Sequence, residues 1–166
     1  MDPRVPATAA DLKTLNTLES HLSDLVDSTA KADLAAHSLQ EQLTRLGKSG
    51  PADLKPRLDA ASRQLATLLD GEHKADGTES EPGLDDVAGS ALGLYGQVSN
   101  VDAAPTASQQ QAASSTEKES REALEHWEKW SKSDLPSLNA AIKAANLPTL
   151  NAQLAPSSMP QQGDED

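Results

Sequence analysis

"LKTLNTLESHLSDLVDSTAKADLAAHSLQEQLTRLGKSG", residues 12–50, decides how this chain folds. Its apolar and small residues advance by alternating steps of three and four: Leu15, Leu18, Leu22, Leu25, Thr29, Ala32, Ala36, Leu39, Leu43 and Leu46. That rhythm averages ~3.5 residues and draws one stripe along an α-helix, with a waist of small residues in its middle. Thr8, with Asp11 three residues on, predicts a capped start, and Gly47 and Gly50 predict the stop. A helix over 9–46 would run roughly 55–60 Å at ~1.5 Å per residue. A stripe of that length has to be covered by other helices.

Composition points the same way. The 166 residues are the size of one domain. Only 36% are hydrophobic, against a usual share of roughly 45–50%. Phe is absent, and Tyr95, Trp127 and Trp130 are the only aromatic residues. The core must therefore be built from Leu, Ala and Val, and Leu and Ala favour helices over strands. An all-α fold follows. The net charge of -12 opposes contact with phosphate backbones, so nucleic acid is excluded as a partner. No apolar run reaches the ~20 residues of a membrane span, so a soluble chain without membrane insertion is expected. With no cysteine, disulfides and thiolate chemistry are excluded and the redox compartment stays open. "MDPRVPATAADL" has no basic-then-apolar leader, so export would need a signal encoded upstream, and localisation is undetermined.

The stripe continues in three more segments. Leu54, Leu58, Ala61, Leu65 and Leu68 predict a helix over 53–70, with Asp53 as its cap because Pro56 fits only in a first turn. Residues 71–83, "GEHKADGTESEPG", carry no apolar period and predict a mobile loop. Leu84, Val87, Ala91, Leu94, Val98 and Val101 predict a helix over 84–101. Gly89 and Gly93 share a face of it and suit either a close backbone approach or a merely weak helix. Asn100–Thr106 is a corner, where Pro105 stops one helix and Thr106 caps the next. The last helix, over 106–146, carries Ala113, Thr116, Ser120, Ala123, Trp127 and Trp130 on its seam. Pro136 is expected to kink or restart it after Asp134, and Leu135, Leu138 and Ile142 extend its apolar face. The expected assembly is an antiparallel bundle of about four helices over 1–154, two long and two shorter, the first pairing with the fourth. A disordered acidic tail, 155–166, completes the chain.

Chemistry is sparse by motif. Di-metal bundles need Glu-x-x-His pairs, but Leu18, Leu34 and Ala123 precede His21, His37 and His126. Asp70 and His73 have the spacing yet fall where a helix gives way to a loop. The four histidines read as solvated, and no metal, cofactor or catalytic residue is expected. Glu117–Arg121, Glu125–Lys129 and Glu128–Lys132 are i, i+4 pairs on an exposed face. Trp127 and Trp130, three residues apart, are the one constellation with two readings. Either they close the bundle end against Tyr95 and Ile142, or they anchor another domain. Tyr95, Pro105, Thr106, Trp127, Trp130 and Leu135 are therefore the candidate structural or interface residues.

Three stretches carry a family resemblance: "DPRVPATAADL", "LYGQVSNVDAAPTASQ" and "DLPSLNAAIKAANLPTL". They resemble the helical C-terminal region of bacterial BNR-repeat or sortilin-like β-propeller proteins, often labelled glycosyl hydrolases. The matching residues are Leu94, Tyr95 and Gly96, then Asp102, Ala103, Ala104, Pro105 and Thr106, then Asp134, Leu135, Pro136, Leu138 and Asn139. The resemblance implies a module that packs against a β-propeller or against like helices of another subunit, in proteins that look exported. The propeller and its Asp-box repeats are missing here, so the hydrolase label does not pass to these residues. The expected function is a non-catalytic helical interaction module. The alternatives are a fragment of a sialidase-like glycosyl hydrolase, or a free-standing cytoplasmic adaptor.

Overall fold

The computed structural model describes residues 8–72, 81–100 and 103–153. Four helices occupy them: α1 (Ala9–Ser49), α2 (Lys55–Asp70), α3 (Leu84–Ser99) and α4 (Ala107–Ala144). The fold is an all-α bundle with two long and two short members, as leucine and alanine dictate. The expected tail, 155–166, and Val101 lie outside the described residues.

Helix starts follow local chemistry. Thr8 Oγ1 accepts from the Asp11 backbone N–H at 3.2 Å, while the Thr8 N–H donates to Asp11 Oδ2 at 2.9 Å. The Thr8 hydroxyl, then its backbone N–H, hold the Asp11 carboxyl below its usual range. Thr106 and Gln109 repeat the same reciprocal box at the head of α4. Three expectations are corrected. Helix α1 passes through Gly47, so of the two expected stop glycines only Gly50, with extended backbone, caps it. Asp53 is not the cap of α2. Residues 52–54 form a turn that carries Leu54 into the core, and α2 begins behind it without a side-chain cap. Pro136 does not restart α4, which runs unbroken past it. The proline removes one N–H, yet Leu135, Leu138 and Ile142, buried on either side, keep the helix seated.

Neighbouring residues reveal the directions of the helices. Lys13 lies across from Gln110, His21 from Glu117 and Ser28 from Glu128, so α1 and α4 ascend together. Helices α2 and α3 run the other way, one after the other along α1. Leu39, Leu43 and Leu46 share a core cluster with Leu58 and Leu65 of α2, and with Trp130 and Ile142 of α4. Leu15 and Leu22 share a second cluster with Leu94 and Val98 of α3 and Ala113 of α4. The first-with-fourth pairing thus corrects to a parallel one. The antiparallel partners of both long helices are the two short ones in series. Between the clusters lies the small-residue waist, where Thr29 and Ser120 are fully buried. Thr29 Oγ1 donates to the Leu25 carbonyl at 2.9 Å, which spares its hydroxyl an unpaired burial.

The hinge between α2 and α3 is not simply a mobile loop. Glu72 and Glu81 exchange two backbone hydrogen bonds, at 3.0 and 3.1 Å, so the ends of the 71–83 segment are pinned together. Residues 73–80 lie outside the described residues. Gly71 has φ +75, and a Cβ there would meet the Glu81 carbonyl oxygen at 2.4 Å. A Cβ on Gly83 would meet the Leu69 carbonyl oxygen at 2.2 Å. Only glycines let the first residues of α3 abut the last turn of α2. Gly89 and Gly93 are different. A Cβ on either would meet nothing within 4 Å, so no backbone approaches closely at these glycines.

Past α4 the chain turns at Asn146, which has φ 55, and returns as an extended strap. Asn139 Nδ2 donates to the Leu150 carbonyl at 2.9 Å and its Oδ1 accepts from the Leu150 N–H at 2.7 Å. Gln42 of α1 clasps Asn151 in the same two-bond manner, at 2.9 and 3.0 Å. Leu150 is thereby held in the larger core cluster. The fingerprint residue Asn139 thus has a structural task.

The glycines give a paired test in denaturant unfolding. Gly89→Ala and Gly93→Ala should each stabilise by about 0.5–1 kcal/mol, since alanine is the better helix former. Gly83→Ala should destabilise by more than about 1 kcal/mol, because backbone rather than a flexible side chain blocks its methyl. Destabilisation by the first pair, or none by the last, contradicts the junction described.

Candidate functional site

The expected site residues fall into two places. Tyr95 is half-buried against the Leu15–Leu22–Leu94 cluster, beside the corner where Pro105 is buried and Thr106 caps α4. Trp130 and Leu135 belong to the other cluster, with Trp127 packed against it. The expected contact of the tryptophans with Tyr95 is therefore corrected. The waist separates them, because α3 carries Tyr95 along the N-terminal half of α1 while the tryptophans face α2. Ile142 does share the cluster of Trp130.

The two indoles differ in role. Trp130 is 5% exposed and its Nε1–H donates to Gln64 Oε1 of α2 at 3.3 Å. Trp127 is half-buried and stacks on it, ring centroids 6.0 Å apart and planes 22° from parallel. Trp130 is thus core, with its one polar atom paired, and Trp127 is the outer leaf of the stack. Among the expected ion pairs, Glu117–Arg121 forms at 2.8 Å and Glu128–Lys132 also forms, both on the exposed face.

Along their N-terminal halves α1 and α4 do not close on each other. A furrow of about 410 Å³ runs between them past Leu18 and Ala113. It continues as about 330 Å³ past Leu25 and Leu124, with His21 and Glu117 at the join. Leu18, Leu25 and Leu124 are half-buried in its floor, and acidic side chains line its rim. Elsewhere Leu34 and Leu92 stand 52% and 60% exposed.

The histidines part company. His21 lies 4.0 Å from Glu117 and His126 3.7 Å from Glu81, both largely solvated. His73 lies outside the described residues. His37 is likewise half exposed, in line with the solvated expectation, but it stands beside two carboxylates. Its Nε2 sits 2.9 Å from Asp85 Oδ1 and 3.6 Å from Asp33 Oδ1. Asp33 precedes it by one turn of α1, whereas Asp85 arrives from the first turn of α3. That second contact spans 48 residues of sequence, so no spacing motif announces it. Asp33 Oδ1 is shielded from solvent and has no hydrogen-bond partner. Burial, then the Asp85 carboxyl, push the Asp33 carboxyl from 3.8 up to about 6, while the charge of His37 pulls it down. The two carboxyls can share a hydrogen bond only while one of them is protonated.

Comparison of the chain with known protein families, with curated proteins and with solved structures gives no match. No helix among the described residues is long and apolar enough to cross a membrane.

Two predictions follow from this geometry. Trp130→Ala should cost about 3–5 kcal/mol, and Trp127→Ala distinctly less, in urea unfolding followed by circular dichroism. Equal losses would show both rings to be core. For Asp33 the folded carboxyl titrates above the unfolded one, so the protonated form is favoured by folding. That stability is complete below pH 3.8 and is lost as pH rises through about 6. In chelator-treated buffer, Asp33→Asn should therefore gain stability relative to the parent chain as pH is raised across that window. A pH-independent difference between the two contradicts the shift.

Proposed function

We propose that the chain is a non-catalytic helical interaction module whose furrow face packs on a β-propeller domain, as in the exported proteins that its fingerprint resembles. The observation that carries the reading is the furrow between α1 and α4. Half-buried leucines floor it over about two turns of α1, while the rest of the long seam is covered by α2 and α3. A central apolar strip with a charged rim is the anatomy of a surface that excludes water when a partner seats on it. Thr106 caps α4 at the corner, and Tyr95 packs against the cluster that includes Ala113 beside the furrow. The Trp127–Trp130 stack holds the other half of α4 against α2 and leaves the furrow half free to bind.

The test begins with the surrounding coding sequence, which should encode Asp-box propeller repeats. Co-expressed with that propeller, the chain should form a stable complex. Leu25→Glu and Leu124→Glu, checked for retained helicity, should weaken it by at least about tenfold. A neighbourhood without such repeats, or folded variants that bind as tightly as the parent, overturns the reading. So does turnover of aryl glycosides by the chain alone that is abolished by substituting one of its own carboxylates.

A further inference from the structure

The Asp33–His37–Asp85 cluster lies on the face that joins α1 to the start of α3, where the His37–Asp85 contact links the two helices. We propose that these three residues bind one divalent transition-metal ion, zinc being the best match, through His37 Nε2 and one oxygen from each carboxylate. The inference does not rest on the partner reading above.

Geometry comes first. The three ligand atoms all lie within 4.8 Å of one another. Around a tetrahedral zinc ion with bonds of ~2.0–2.2 Å, neighbouring ligand atoms sit about 3.3–3.5 Å apart. The His37–Asp85 and His37–Asp33 separations, 2.9 and 3.6 Å, bracket that distance, and the third pair lies within 4.8 Å. Asp33 and His37, one turn apart on α1, already share a face. Asp85 is brought to them by the glycine junction that sets α3 behind α2.

A second observation points to a missing partner. Asp33 Oδ1 is shielded from solvent and has no hydrogen-bond partner, although its side chain as a whole is 21% exposed. Burying an ionised carboxylate oxygen unpaired is unfavourable, and either a proton or a cation relieves it. Among the described residues this is the one group of three such ligands that converges so closely. His37 and Asp85 are half exposed, so an ion can enter from solvent with waters completing its shell. The donor set selects the metal. An imidazole nitrogen with two carboxylate oxygens suits zinc, cobalt or nickel. Calcium takes six to eight oxygens, and magnesium prefers an octahedron of oxygens and water. The net charge of -12 raises the local cation concentration without choosing among them.

The test titrates the full chain, stripped with chelator and exchanged into buffer near pH 7.5, with zinc chloride and separately with cobalt, by calorimetry and thermal melting. One ion per chain should bind saturably and raise the melting temperature. His37→Ala and Asp33→Asn should each weaken binding by at least about tenfold. Asp86→Asn, a neighbouring exposed acid, should leave it unchanged. Circular dichroism checks that each variant is folded. Non-saturable binding, an equal response to magnesium, or unchanged affinity in a folded His37→Ala variant would each overturn the proposal and assign the effect to diffuse attraction by the acidic surface.

Discussion

The apolar stripe of α1 is the constraint to which the other elements answer. Forty-one helical residues extend for about 60 Å, and neither 16-residue helix can cover that alone. Laid one after the other, α2 and α3 come close to the required length, and α4 runs beside all three. Each leucine so covered contributes about 1.5–3 kcal/mol of transfer free energy. The arrangement therefore depends on a junction tight enough to leave no uncovered gap between the short helices. Gly71 and Gly83 permit that closeness, and the Glu72–Glu81 bridge closes it.

Much of this could be read in advance from the residues, and the remainder shares one cause. The seam of α1, the faces of α2 and α3 and the Thr8 and Thr106 caps are local, so a period of 3.5 or a single side chain announces them; α3 itself ends at Ser99, before Pro105. Which helix covers which stripe is not local. Alternating three and four steps say that Leu15 and Leu46 face inward without saying that Leu94 meets one and Leu58 the other. The parallel course of α1 and α4 was missed for that reason, and so was the distance between Tyr95 and the tryptophans. Trp127 and Trp130 were legible as a pair, but their unequal burial depends on where Gln64 and α2 stand. Asp33 and His37 offered only an i, i+4 spacing common on any exposed helix, and Asp85 lies 48 residues away.

The strap after α4 shows the same limit in another form. Asn139 and Gln42 sit on different helices and act as surrogate strand edges, each exchanging two hydrogen bonds with one backbone residue. Leu150 is fixed in the core by those bonds together with its own burial. In sequence Leu150 falls within the bundle's bounds, but nothing local announces the two clasps that hold it. With its C-terminal end tied by the strap and its Trp130 half packed on α2, α4 is left partly uncovered only where it borders the furrow.

Because the chain has no cysteine, two can be introduced at will for spin labelling. Labels at Thr17 and Ser114, which border the same groove, measure directly whether α1 and α4 ascend together. The account predicts a single interlabel distance under about 25 Å. In an antiparallel pairing Ser114 would lie about 35 Å farther along the axis of α1. A dominant distance in that longer range would contradict the arrangement of two short helices in series between two parallel long ones.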